Sequence, residues 1–294
     1  MAKLSMNVTT AFHGNVTTDI AIAKEAGFDG VELQSPKLTR YLDAGFTAES
    51  IAEKLNGFPV SGLGAVLDIE RTGQAREGFL AEVTRLARVA QVIGAPIVQL
   101  CTGPVDWEVV KDFRAGQLSV DDARYRGTLG FDEGEALDVL VANVREAADI
   151  AADHGVGIVL EPLAWSNINR HRHSLRIIEE CGRDNVGLAL DTWHYWSTGD
   201  TLEEVSATPK ELIYAVHVSD GRDLDRERDV PQQDIYRDVV IGGGAIPLQE
   251  WIDAVKSTGY DGWFATEMFS TKANEHDPLK VAITMRNLLD ILVS

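Results

Sequence analysis

Segments with the hydrophobic pattern of β-strands alternate with amphipathic, helix-like segments from one end of this chain to the other. Eight strand-like segments are predicted, at residues 4–12, 30–34, 60–69, 95–101, 157–163, 186–191, 212–218 and 262–267. Helix-like segments follow them at residues 18–26, 48–56, 74–93, 133–154, 174–181, from about 201, 247–257 and 277–292. Eight strand–helix units in 294 residues predict a (β/α)8 barrel, an α/β fold that forms one domain over residues 1–294. A doubly wound sheet would carry a glycine-rich phosphate loop after its first strand, and residues 9–14 are no such loop.

The composition limits the kinds of molecule that the chain is expected to bind. The formal net charge is -19, so the chain is expected to repel nucleic acid and anionic membrane surfaces. No segment approaches the roughly 18 consecutive apolar residues of a membrane span, and the N-terminal residues lack the apolar core of a signal peptide. Two isolated cysteines, Cys101 and Cys181, do not make a disulfide framework. We therefore expect a cytoplasmic protein with a small-molecule partner, without nucleic-acid or membrane binding.

Four consecutive strand-like segments end in side chains that can bind a metal. In chain order these are Glu161, Asp191, His217 and Glu267. Each of them alone is more simply explained as a solvated or hydrogen-bonded structural residue. Together they would converge, because the C-terminal ends of barrel strands meet on one rim. Three converging carboxylates would repel one another strongly without a cation. With the imidazole, this oxygen-rich set predicts a site for Mn²⁺, Mg²⁺, Co²⁺ or Zn²⁺.

The motifs around these residues resemble the xylose isomerase-like barrel superfamily, in particular its sugar phosphate isomerase/epimerase branch. The resemblance covers the whole chain and is specific for the fold and the metal site, but it does not name the substrate. The stretches that carry it are Leu160-Glu161-Pro162, Leu190-Asp191-Thr192-Trp193-His194, His217-Val218-Ser219-Asp220, Phe264-Ala265-Thr266-Glu267 and Gly242-Gly243-Gly244-Ala245-Ile246-Pro247.

The resemblance implies a mechanism. Glu161, Asp191, His217 and Glu267 would bind one divalent metal, with Mn²⁺ the expected ion. Glu161 and Glu267 would be the catalytic pair, one removing a proton beside a carbonyl and the other returning it, through a metal-stabilised enediolate. Return on the opposite face gives epimerisation, and return to the neighbouring carbon gives aldose–ketose isomerisation.

Five further residues are candidates for substrate binding. His194 and Arg222 occupy positions where the resembling family has substrate-binding residues, although a structural histidine and a misaligned loop arginine are the alternatives. Glu32 would bind a hydroxyl group or orient His194, or else form a buried ion pair. Trp165 and Trp193 would stack on the C–H faces of a sugar, or simply pack beneath loops.

Two long connections, residues 102–132 and 221–246, leave from strand C-termini. They are interpreted as lids, subunit contacts or insertions without a role. The resemblance implies a homo-oligomer, and association with a different partner subunit is the alternative.

The sequence thus predicts a metal-dependent isomerase or epimerase of a ketose or related sugar or polyol in carbohydrate metabolism. A lyase on the same scaffold is the main alternative: an inosose dehydratase, a 3-dehydroshikimate dehydratase or a subunit that cleaves 3-oxo-C-glycosides. A DNA-repair endonuclease of the same superfamily would need more zinc ligands and a basic groove, which the charge of -19 argues against. A binding barrel without activity is disfavoured by the presence of all four metal-ligating residues.

Overall fold

A computed structural model describes residues 2–119, 121–226 and 228–294. Eight parallel strands close into a barrel in sequence order, with β1 paired to both β2 and β8. The strands are β1 Lys3–Asn7, β2 Gly30–Gln34, β3 Val60–Val66, β4 Ile97–Cys101, β5 Gly157–Glu161, β6 Val186–Asp191, β7 Ile213–Val218 and β8 Trp263–Thr266. The predicted (β/α)8 barrel is confirmed.

Thirteen α-helices are assigned in the described residues. They are α1 Val16–Glu25, α2 Ser35–Asp43, α3 Ala48–Leu55, α4 Gly73–Ile93, α5 Trp107–Arg114, α6 Glu133–Ala152, α7 His171–Cys181, α8 Thr192–Thr198, α9 Leu202–Ser206, α10 Gln233–Tyr236, α11 Leu248–Ser257, α12 Thr271–Asn274 and α13 Pro278–Val293. Two 3₁₀ helices, Val8–Ala11 and Lys210–Leu212, complete the set. None of the helices in the described ranges is long and apolar enough to cross a membrane.

Local chemistry sets several helix ends. Asp132 caps α6 by accepting the backbone N–H of Glu135, whose side chain bonds back to the cap residue. Helix α4 is capped at its C-terminus by Gly94, which adopts a left-handed φ of 73° that favours glycine. These signals are local, which is why both helices were predicted with nearly correct limits.

Other boundaries differ from the prediction. The first strand ends at Asn7, because the Asn7 side chain accepts the N–H of Thr9 and begins a 3₁₀ turn within the predicted strand 4–12. Helix α7 begins at His171, and its N-cap, Arg170, lies four residues before the predicted cap at Ser174. Five helices of the described residues were not predicted: α2, α5, α8, α10 and α12. Of these, α5 and α10 lie inside the two long connections.

The strand alternation separates an outer core from an inner one. Leu160, Leu190 and Val216 belong to the large core between the strands and the helices. Ile97, Val159, Ala189 and Ala215 form a second apolar cluster, with Tyr214 against it. Because side chains alternate between the two faces of a strand, Glu161, Asp191 and His217 follow two residues after Val159, Ala189 and Ala215, on the inner face. The barrel interior is therefore apolar below and acidic at its C-terminal rim.

Candidate metal and active site

Glu161, Asp191, His217 and Glu267 come together at the C-terminal rim of the barrel. Each offers one ligand atom, and these four atoms lie within 4.8 Å of one another. All four residues are buried, the most exposed being Glu267 at 8%. Pairing of Asp191 with His217 in the β6–β7 register contributes to this convergence. The structure thus brings together the four residues that the sequence predicted as ligands.

His217 is oriented by a carboxylate behind it. Its Nε2 lies 3.0 Å from Oε2 of Glu32, whose Oε1 accepts the Nδ2–H of Asn7 at 2.9 Å. The other ring nitrogen, Nδ1, lies 3.4 Å from Glu161 Oε2 and 3.7 Å from Glu267 Oε2. Nδ1 is buried and has no hydrogen-bond partner among the described residues. A carboxylate on one nitrogen with the other free to bind is the arrangement of metal-ligating histidines.

The electrostatics of the cluster favour a cation. Burial by itself lowers the pKa of His217, but Glu32 and Glu161 outweigh burial and raise this pKa well above its usual value. The negative charge of these carboxylates, which favours a proton on His217, also attracts a metal ion, and such an ion would replace that proton. With three carboxylates and one imidazole, the donor set fits a hard or borderline divalent ion.

Backbone and side-chain donors hold the carboxylates in place. Asp191 Oδ1 accepts the N–H of His194 at 2.8 Å, which makes Asp191 the N-cap of α8. Gln99 donates its Nε2–H to Glu161 Oε2. Burial raises the pKa of Asp191, although the nearby Arg237 guanidinium opposes this. The ligands are therefore preorganised by the fold.

Arg237 is the arginine of this site, and the sequence did not indicate it. Its side chain is 1% exposed, and its Nη2 donates to Asp191 Oδ2 at 2.8 Å and also to Glu267 Oε2. The guanidinium lies between the rings of Trp193 and Phe269, with centroids 4.9 and 4.8 Å away. Such stacking holds a guanidinium plane in one orientation.

Arg222 does not reach this cluster. It is exposed and its Nε donates to Asp238 Oδ1 at 2.6 Å. The connection folds back on itself, since the N–H of Arg222 bonds to Tyr236 O at 2.8 Å and places Arg237 over the barrel. Asp220 holds this return by accepting the N–H groups of Gly242 and Gly244, each at 2.9 Å. No local sequence signal distinguishes the two arginines.

His194 lies beside Glu161. Its Nδ1 accepts the backbone N–H of Ala164 at 3.0 Å, and burial lowers the pKa of the ring to about 3. The neutral ring therefore carries its proton on Nε2, which lies 3.5 Å from Glu161 Oε1. Because Arg237 Nη1 also lies 3.2 Å from Nε2, two donors converge there, as suits an incoming substrate oxygen.

A cavity of about 180 Å³, here called the inner cavity, opens over the cluster. Its walls include Glu32, Glu161, Glu267, His194 and Trp165, all of them residues that the sequence singled out. Trp165 is fixed by its Nε1–H, which donates to Pro104 O at 2.9 Å. Trp193 is instead fully buried behind Arg237. The sequence suggested that Glu32 would orient His194. In the structure Glu32 contacts His217 and orients that residue instead.

Comparison with known proteins agrees with this geometry. The inosose isomerase of Bacillus subtilis strain 168 is 24% identical over 279 residues, covering 91% of this chain and 89% of that protein. A 3-dehydroshikimate dehydratase of Pseudomonas aeruginosa is 24% identical over 288 residues, covering 97% of this chain and 40% of that protein. A crystal structure of the IolI protein with a bound zinc atom superposes with a TM-score of 0.83 at 21% identity, covering 99% of this chain and 98% of its own. The family model described as xylose isomerase-like TIM barrel matches residues 20–289. The chain therefore belongs to the xylose isomerase-like TIM barrel family and is an enzyme.

Proposed function

We propose that this protein is a divalent-metal-dependent isomerase or epimerase of a ketose or a related sugar or polyol. The observation that carries the proposal is the buried convergence of Glu161, Asp191, His217 and Glu267 within 4.8 Å, two of which, Glu161 and Glu267, line a cavity sized for a small substrate. The relation to an inosose isomerase supports the substrate class.

The same four residues would hold the metal, for which we propose Mn²⁺. When bound, the ion supplies Lewis-acid polarisation of the substrate carbonyl. Each carboxylate has a second oxygen, so Glu161 and Glu267 can also act on protons at the substrate carbon. Among these ligands, only Glu161 and Glu267 also line the inner cavity, which is why they are proposed as the catalytic pair.

The remaining side chains position the substrate and balance charge. One glutamate accepts the proton from the carbon beside the carbonyl. The C–H electron pair then forms the carbon–carbon double bond of the enediolate, and the C=O π pair moves onto the carbonyl oxygen. His194 Nε2–H and the Arg237 guanidinium donate hydrogen bonds to the oxygens that gain charge. The other glutamate returns a proton to the opposite face, or to the neighbouring carbon. Trp165 covers the substrate and excludes water.

A lyase is the second candidate, favoured by the similarity to a 3-dehydroshikimate dehydratase over 97% of this chain. The first proton transfer would be the same. If the substrate carries a leaving group next to the carbanion, the electron pair expels it, and the proton held by a glutamate leaves with it as water or an alcohol.

Incubation of the Mn²⁺-loaded protein in D₂O with ketoses, inososes and 3-oxo-glycosides, followed by mass spectrometry, tests both candidates. Carbon-bound deuterium in a product of unchanged composition supports the isomerase or epimerase, and loss of water or an aglycone supports the lyase. Absence of both for every compound contradicts the proposal.

The roles of the glutamates have a matched control. Glu161→Gln and Glu267→Gln should each slow exchange by about 10²-fold or more, as expected for loss of a general base. Glu70→Gln makes the same isosteric change in a buried residue outside the inner cavity and should leave exchange intact. Chelation should stop exchange and added Mn²⁺ should restore it. Full exchange in either Glu161→Gln or Glu267→Gln would refute that residue's role.

A further inference from the structure

A second and larger cavity, here called the outer cavity, adjoins the inner one. Its volume is about 970 Å³, and it shares Gln34 and Pro36 with the inner cavity. Its other walls come from the segments after β1 and β2 and from helix α4. Since strand C-termini open onto the catalytic face of a barrel, the outer cavity extends the proposed substrate site sideways along that face.

The outer cavity is cationic in an acidic chain. Its formally charged lining residues are Lys37, Arg40, Arg85 and Glu82, three cations and one anion. Over the whole sequence the balance is reversed, with 27 Lys and Arg against 46 Asp and Glu. A local excess of positive charge is therefore unusual here and sets this cavity apart from the surrounding surface.

The cations differ in how they are paired. Lys37 is buried and committed to the protein, because its Nζ lies 2.9 Å from Asp19 Oδ2 and 3.0 Å from Ala11 O. The side chains of Arg40 and Arg85, in contrast, form no hydrogen bond or ion pair within residues 2–119, 121–226 and 228–294. Glu82 accepts a hydrogen bond from Ser35 Oγ at 3.3 Å. Two guanidinium groups are thus left with unused donors at one cavity.

We propose that the outer cavity binds an anionic group of the substrate, a phosphate or a carboxylate, through Arg40 and Arg85. The inference rests on the proposed function, in that the ketone end of the same molecule would occupy the inner cavity. Guanidinium donors match the paired oxygens of carboxylates and phosphates. The charge of the rest of the chain would repel such a molecule, so the two arginines would select it and hold it in register with Glu161 and Glu267.

Calorimetric titration of the Mn²⁺-loaded protein tests this without relying on turnover. The probes are D-fructose, D-fructose 6-phosphate and 5-keto-D-gluconate, which share a keto sugar skeleton and differ in charge. The wild-type protein should bind at least one anionic probe about tenfold or more tightly than D-fructose, and the preferred probe identifies phosphate or carboxylate.

Arg85 and Arg88 both lie on α4, so Arg88 provides the matched control for Arg85. Arg85→Gln and Arg40→Gln should each weaken binding of the preferred anion about tenfold and leave D-fructose unaffected. Arg88 is exposed on α4, does not line the outer cavity, and Arg88→Gln should change neither affinity. Equal losses in Arg85→Gln and Arg88→Gln would show general charge attraction and would overturn the inference, as would equal wild-type affinity for all three probes.

The two proposals fail in different ways. Preference for an anion without deuterium exchange in any compound would contradict the isomerase but not the outer cavity. Deuterium exchange on neutral ketoses without any preference for an anion would contradict only the outer cavity.

Discussion

Replacement of Glu70 by glutamine should raise the free energy of unfolding relative to that of the wild type, and this gain should be larger at high pH than at low pH. Glu70 is buried, at 3% exposure, and its Oε1 accepts the backbone N–H of Gly103. Its Oε2 has no hydrogen-bond partner in the described part of the chain. Burial raises the pKa of Glu70 from 4.5 to about 7, with the Gly103 N–H opposing, Asp68 adding to the rise and Arg71 opposing it.

The size and sign of the effect follow from that pKa. Because the folded state holds the proton more tightly than the unfolded state, the contribution of Glu70 to stability falls as pH rises from 4.5 through 7. The loss is complete above pH 7 and amounts to about 3 kcal/mol at pH 8, against less than about 1 kcal/mol at pH 5. Glutamine resembles the protonated acid and carries no charge. The difference in free energy of unfolding between the Glu70→Gln variant and the wild type should therefore shift by about 2 to 3 kcal/mol in favour of the variant when the pH is raised from 5 to 8.

Urea unfolding followed by circular dichroism at pH 5 and pH 8 measures this difference. Glu53, exposed on α3, is the control, since Glu53→Gln removes a solvated carboxylate and should give the same difference from wild type at both pH values. A difference for Glu70→Gln that does not change with pH would refute the reasoning, because the buried charge would then carry no cost.

Two further predictions concern positioning residues. Glu32→Gln should weaken Mn²⁺ binding about 10- to 100-fold in calorimetric titration, because His217 loses the carboxylate that orients it; unchanged affinity would mean that His217 is held by its packing alone. Lys37→Met should lower the free energy of unfolding by about 3 to 5 kcal/mol, since Asp19, which has no side-chain exposure, is left unpaired. The double variant Lys37→Met with Asp19→Asn should recover part of that loss in urea unfolding, and a double variant no more stable than the single one would contradict this explanation.

The barrel and the convergence of four polar residues could be predicted because their signals are local. Glu161 and Asp191 end their apolar strands and His217 is the penultimate residue of its own, and parallel strands in a barrel present their ends on one rim. The limits of β2 and β6 were predicted correctly for the same reason. Helix α8 was missed because it is short and begins directly at Asp191, without an intervening loop.

The arginine of the site could not be predicted in this way. Arg222 lies nearer to β7 along the chain, yet Arg237 is the one that reaches Asp191 and Glu267. The choice depends on how the connection returns, through contacts of Asp220 with residues more than 20 positions away. Long-range hydrogen bonds of this kind leave no periodic pattern in the sequence.

The sequence by itself determined the fold class, the acidic character of the chain and the identity of the residues at the strand ends, because hydrophobic period and strand termination act over a few residues. Only the tertiary structure decided which partner each of those residues has. Glu32 on β2 faces His217 on β7 across the barrel, Arg237 stacks between two rings, and Arg40 and Arg85 come to one cavity from different helices. Such pairings depend on strand register, barrel closure and loop return, which are settled by the packing of the whole chain.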